Sequence, residues 1–155
     1  MNNFKTSVIF ILLAFFSLSM ANGQQPVAKD KAKNVLLKTN RLIGHAHMSV
    51  KRGKVYTGNL GKAVRHERYA KSLYEKGNYL RSIQHSRRAR LLALEAIKAN
   101  KVKPTSDANF TPEETELIGS APTDKELEDE LTTEKVAEVK DEDLINSNNL
   151  NINVQ

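Results

Sequence analysis

Histidines are the side chains of this sequence best suited to chemistry near neutral pH. His66 stands eleven residues before Gly77, and His85 stands eight residues after it. If Gly77 turns one helix back on another, the two rings fall within two helical turns of each other. His45 lies a comparable distance before the glycine-rich stretch "KRGKVYTGNLG" (51–61) and can reach the same level. Three neutral imidazoles from three helices would suit zinc or copper. Against this, His45 and His47 cannot share a helix face, and no carboxylate is placed to orient a ring. The tight i, i+3 or i, i+4 spacing of helix-borne metal ligands is also missing. The expectation is half-buried boundary histidines, with no metal and no other cofactor.

Other catalytic chemistry has little to build on. The sequence has no cysteine, no Gly-x-Ser-x-Gly, no phosphate-cradling glycine loop and no His-Glu-x-x-His. Up to Lys103 its only acids are Asp30, Glu67, Glu75 and Glu95, and none are paired at an acid–base spacing. A catalytic pocket needs such groups to converge. No enzyme is expected.

The arginines of "YLRSIQHSRRARLLALEAIKANK" (79–101) suggest contact instead. On a helical wheel Arg81 and Arg88 flank one side of a small-residue face, and Arg87 and Arg90 flank the other. A groove-reading helix would gather its cations on one exposed stripe. Cations that bracket a packing face are placed to snorkel at a bundle boundary. With Lys98 and Lys101 they are the candidate contacts to a protein partner or a polyanion. Anionic lipid and polysaccharide suit them; nucleic acid is not expected, since one tyrosine gives little to stack on.

Charge divides the chain. Residues 24–103 carry 20 Lys+Arg against 4 acids, a net of +16, and residues 104–155 carry 3 lysines against 14 acids, a net of −11. The whole chain, at +6, hides this dipolar layout. "KPTSDANFTPEE" marks the border, where alanine and leucine give way to turn formers.

The elements that must position these residues are helical. Ala32, Val35, Leu36, Thr39, Leu42, Ile43, Ala46 and Val50 recur at three- and four-residue steps. After the 51–61 break, Leu60, Ala63, Val64, Ala70, Leu73 and Tyr74 repeat the period. Gly77 supplies a left-handed stop and Asn78 a cap for a third helix from Tyr79 to about Lys101. In that helix Ser82, His85, Ser86, Ala89, Ala93 and Ala96 make a close-packing face, and Leu80, Ile83, Leu91 and Leu94 a second apolar strip. The fold class is all-α: a small antiparallel three-helix bundle, or a helical hairpin plus one long helix.

Residues 104–155 are expected to be a mostly disordered acidic tail. "TPEE" (111–114) and "TDKE" (123–126) have the form of capping boxes, but Leu127 and Leu131 are too sparse to stabilise an isolated helix. "LNINV" (150–154) alternates like a strand and could add to a partner's sheet edge.

"AKSLYEKGNYLRSIQHSRRARLL" resembles one tetratricopeptide repeat, with Ala70 and Ala89 at its small positions and Gly77-Asn78-Tyr79 at its turn. One copy is present, so the resemblance implies a protein-contacting helical hairpin rather than a solenoid. The layout is also similar to small exported bacterial proteins with alanine-rich helical hairpins. Export is expected from residues 1–23: Lys5, an apolar run from Val8 to Leu18, then small residues, the order of a signal peptide cleaved after Gly23. The mature chain is then secreted or periplasmic and spans no membrane. Two functions follow: a non-enzymatic interaction or structural module with a protein partner in the envelope or outside the cell, or an anionic-surface binder with an autoinhibitory acidic tail.

Overall fold

The computed structural model describes residues 29–118 and 121–155; the expected signal peptide lies outside them. Three long helices make the bundle: α1 (Lys29–Gly53), α2 (Asn59–Glu75) and α3 (Tyr79–Ala99). Short helices follow, α4 (Pro112–Ile118), α5 (Asp124–Thr133) and α6 (Asp141–Leu144), with a 3-10 turn at Ser106–Ala108. No strand is present among the described residues.

The expected apolar positions of α1 and α2 are all buried. In α3 the small-residue face is buried throughout, together with Leu92 and Ile97. Of the second strip only Ile83 is buried; Leu80, Leu91 and Leu94 are half-buried. Both neighbours of α3 therefore share one half of its surface, which small side chains make possible.

Gly77 turns α2 into α3 as expected, at φ +79°. Gly77 N–H donates to the Tyr74 carbonyl and Asn78 N–H to the Leu73 carbonyl, a Schellman pair. Asn78 stands at the N-cap but its side chain makes no capping bond. Lysines take the left-handed residue elsewhere: Lys101 (φ +54°) ends α3 and Lys135 (φ +52°) ends α5, with the same two-bond pattern.

The segment after Pro104 differs from its expectation. It is not a disordered tail in this structure but a belt of short helices laid along the bundle. Both capping boxes form: Thr111 with Glu114, and Thr123 with Glu126. Leu127 and Leu131, one turn apart on α5, are fully buried. Burying a leucine stabilises by about 2 kcal/mol, so two suffice for a helix that docks rather than stands alone. Leu144 and Ile152 enter the core shared by α1, α2 and α3. The final "LNINV" is irregular, with Asn151 at φ +52°, and pairs with no strand; Ile152 and Val154 point into the bundle, and Asn40 Nδ2 donates to the Ile152 carbonyl at 3.0 Å. The alternation that resembles a strand serves to insert every second residue.

The belt also completes α2. Its N-cap residue Gly58 has φ +78° and no capping side chain, and Asn59 does not cap. Asp141 does, from 80 residues downstream: its carboxylate accepts from Gly61 N–H at 2.7 Å and Gly58 N–H at 2.8 Å. A Cβ on Gly61 would collide with the Val139 carbonyl, so that glycine is where the belt passes closest.

Candidate functional site

The belt lies on the cations singled out in α3. Arg90, expected to snorkel at the boundary, is fully buried. Its Nη1 and Nη2 donate to Glu114 Oε2 (3.2 Å) and Oε1 (3.0 Å), Nε donates to Thr39 Oγ1, and Nη2 also reaches the Val35 carbonyl. A buried guanidinium is tolerable only with partners of this kind. Phe110 stacks on it, with the guanidinium carbon 4.7 Å from the ring centroid. Glu114 is held below the usual carboxylate range: burial pushes it up, but the Arg90 bonds, the Thr111 N–H and the charge of Lys38 outweigh that. One glutamate thus serves as capping-box residue and as counter-ion.

Arg81 and Arg88 are also engaged. Arg81 Nε donates to Glu130 Oε2 at 2.7 Å, and Arg88 Nη1 pairs with Asp124 Oδ2 at 2.8 Å. Arg87 is half-buried, while Lys98 and Lys101 are exposed; none of the three forms an ion pair with a described residue. The six expected contact residues therefore split: Arg81, Arg88 and Arg90 pair with the belt, Arg87 is half-buried without an ion pair to a described residue, and the two lysines lie at the bundle's end.

The histidines regroup likewise. His66 and His85 meet at the α2–α3 interface, both fully buried, with Nδ1 atoms 3.1 Å apart. His45 does not join them; its Nε2 lies 3.1 Å from the Lys103 carbonyl, and His47 bonds the Leu144 carbonyl. A carboxylate does orient His66, contrary to expectation, and a second stands beside His85; both come from α5. His66 Nε2 lies 3.1 Å from Glu128 Oε2, and His85 Nε2 lies 3.4 Å from Glu130 Oε2. Glu128 also accepts from Arg65, and Glu130 from Tyr69. No spacing rule could have found these partners, since 62 residues separate His66 from Glu128 and 45 separate His85 from Glu130.

The geometry assigns the protons. His66 Nε2 faces a carboxylate and so carries hydrogen, leaving its Nδ1 to accept from His85 Nδ1–H. A neutral His85 then turns a bare Nε2 toward Glu130, and that nitrogen has no hydrogen-bond partner. Burial nevertheless holds both rings neutral. It pushes His66 down to about 3, helped by His85, Arg88, Arg65 and Lys62. It pushes His85 down to about 4, against the pull of Glu130. Burial likewise raises Tyr69 to about 12. Among the described residues no cluster of three or more His, Asp or Glu is arranged to hold a metal.

A second buried group stands apart. Glu67 on α2 is fully buried and neither carboxyl oxygen has a partner. Burial pushes it up to about 8, with Ser86 and the Arg90 charge pulling back. It is a neutral acid at pH 7, enclosed between the helices. An open cleft near the α2 N-terminus is lined by Lys62, Arg65, Glu128, Lys140 and Asp141, but three of those five already bond elsewhere in the fold.

No helix among the described residues is long and apolar enough to cross a membrane. No protein-family model, no curated protein and no solved structure matches the chain.

Proposed function

We propose that the chain is an exported, non-enzymatic helical module that acts by surface contact with another protein. What carries this reading is a partly apolar row on α1, interrupted by Arg41, which pairs with Asp107. Leu37, Gly44 and Met48 follow one another at seven and four residues, on one helix face. Leu37 is 36% and Met48 44% exposed, whereas the other large apolar residues of α1 are buried or nearly so. Space is open where a Gly44 side chain would stand, which lets a partner's backbone come close. Several charged groups are engaged within the fold, which accords with the same reading: Arg90 with Glu114, Arg81 with Glu130, Asp141 with the α2 N-terminus.

Photocrosslinking residues at positions 37 and 48, in the cell that exports the chain, test it. The expected result is one discrete protein adduct at both positions and none from Lys125 on α5. The adduct at 37 should vanish with Met48→Glu. Equal adducts at all three positions, or none, would refute the reading.

A further inference from the structure

A surface separate from that row carries its own assignment. Acids of the belt pair with cations along the flanks of the bundle and with none of those at the end where α1 and α3 finish. α1 and α3 run parallel, so both C-termini reach this end, and Asn100 ties them together. Its Oδ1 accepts from Val55 N–H at 3.0 Å and its Nδ2 donates to the Val55 carbonyl at 3.1 Å. Gly53 lies so close under the Asn100 side chain that a Cβ there would collide with it. Five cations converge around this tie: Lys51, Arg52 and Lys54 from α1 and the residue after it, Lys98 and Lys101 from α3 and its stop. All five are exposed, and none forms an ion pair with a described residue. The paired cations all lie elsewhere, on Glu113, Glu114, Asp107, Asp124, Glu128, Glu130 and Asp129.

At the tip of the same end the chain exposes apolar groups. Val55 is 44% and Tyr56 38% exposed, although the neighbouring backbone is pinned by Asn100. A rigid, exposed Val-Tyr pair ringed by lysines matches the interface of a bilayer, where tyrosine sits at headgroup depth and cations meet anionic lipid. A flexible polyanion would satisfy the lysines but offers no apolar layer for Val55 and Tyr56. Acids moderate the field from one side: Glu95 one turn before Lys98, and Glu138, Asp141, Glu142 and Asp143 on and before α6, beside the α2 N-terminus.

We propose that this end of the bundle docks on an anionic lipid surface, with Val55 and Tyr56 entering the headgroup layer. The orientation comes from the convergence of these five cations and the Val55–Tyr56 tip at one end. This goes beyond the protein-contact reading and uses different residues, so either can fail alone.

The sequence has no tryptophan, so Tyr56→Trp supplies a single reporter in the exported chain. The expected result is a blue-shifted emission on vesicles containing phosphatidylglycerol and no shift on pure phosphatidylcholine. Each cation near such a surface strengthens binding about fivefold, so Lys98→Gln with Lys101→Gln weakens it about 30-fold. Lys125→Gln on α5 should leave it unchanged, and far-UV circular dichroism checks that every variant stays helical. Absence of binding to the anionic vesicles overturns the proposal. So does binding with unshifted emission at position 56, or binding indifferent to Lys98 and Lys101. Binding to heparin but not to vesicles would reassign the end to a polymer and equally overturn it. Crosslinking at positions 37 and 48 reads the protein-contact surface separately.

Discussion

Arg90 of α3 and Glu114 of α4 form a two-bond ion pair in which the arginine side chain is wholly buried and the glutamate is 7% exposed. The pair joins the basic bundle to the acidic belt at a largely buried point. Removing one partner of a buried pair costs about 3–5 kcal/mol, because the other charge stays behind. Glu114→Ala should therefore destabilise by that order in urea unfolding. Glu113→Ala, which breaks only the exposed pair with Lys31, should leave the midpoint nearly unchanged.

The belt should stay docked in high salt. Between about 0.01 M and about 1 M the screening length falls from about 30 Å to about 3 Å, enough to release a tail held by surface charge alone. Here Leu127, Leu131, Leu144, Ile152 and Val154 anchor it as well. The radius of gyration from small-angle scattering should be the same at both salts. It should increase in Leu127→Asp with Leu131→Asp, and an expansion of the unaltered chain in salt would count against apolar anchoring.

Helix positions and faces were legible in the sequence because apolar period is a local signal. Gly77 was legible because its turn needs a left-handed residue. The belt was not, for a physical reason. Leu127 and Leu131 look insufficient when a helix must stand alone, and only the surface of α2 and α3 makes them sufficient. Arg90 looked like a boundary cation because a wheel cannot show that a carboxylate from residue 114 will meet it. The site's histidines were visible, but Glu128 and Glu130, which stand beside them, carry no pattern distinct from the other acids around them.

The buried imidazoles make stability depend on acid. His66 and His85 are held at about 3 and about 4, below the usual 6.5, so the unfolded chain binds protons first. Their contribution is complete above pH 6.5 and is lost as the pH falls through 6.5 toward 4 and 3. Each can add a slope of up to about 1.4 kcal/mol per pH unit. Between about pH 6.5 and 4.5, above the range where Glu114 and Glu130 titrate, His66→Gln with His85→Gln should flatten this slope in urea titrations.

Glu67 acts on the other side. Its folded value is raised to about 8 from 4.5, so the folded state holds the extra proton. The favourable contribution is full below pH 4.5 and is lost as the pH rises through 8. Glu67→Gln should abolish the alkaline decline and raise the melting temperature at pH 9 more than at pH 5. Equal changes at both pH values would mean that the carboxyl ionises in place.

Asp141 caps a helix that begins at Asn59, and Ile152 belongs to a core laid down from Leu42 onward. A chain that emerges from its N-terminus first must therefore carry α1, α2 and α3 past the point of synthesis with the α2 N-terminus uncapped and the core short of two side chains. Contacts that span 80 residues or more form late, because loop closure comes before their reward. Completion of the fold waits for residues 141–154, and a polypeptide built this way stays loose until they have been made.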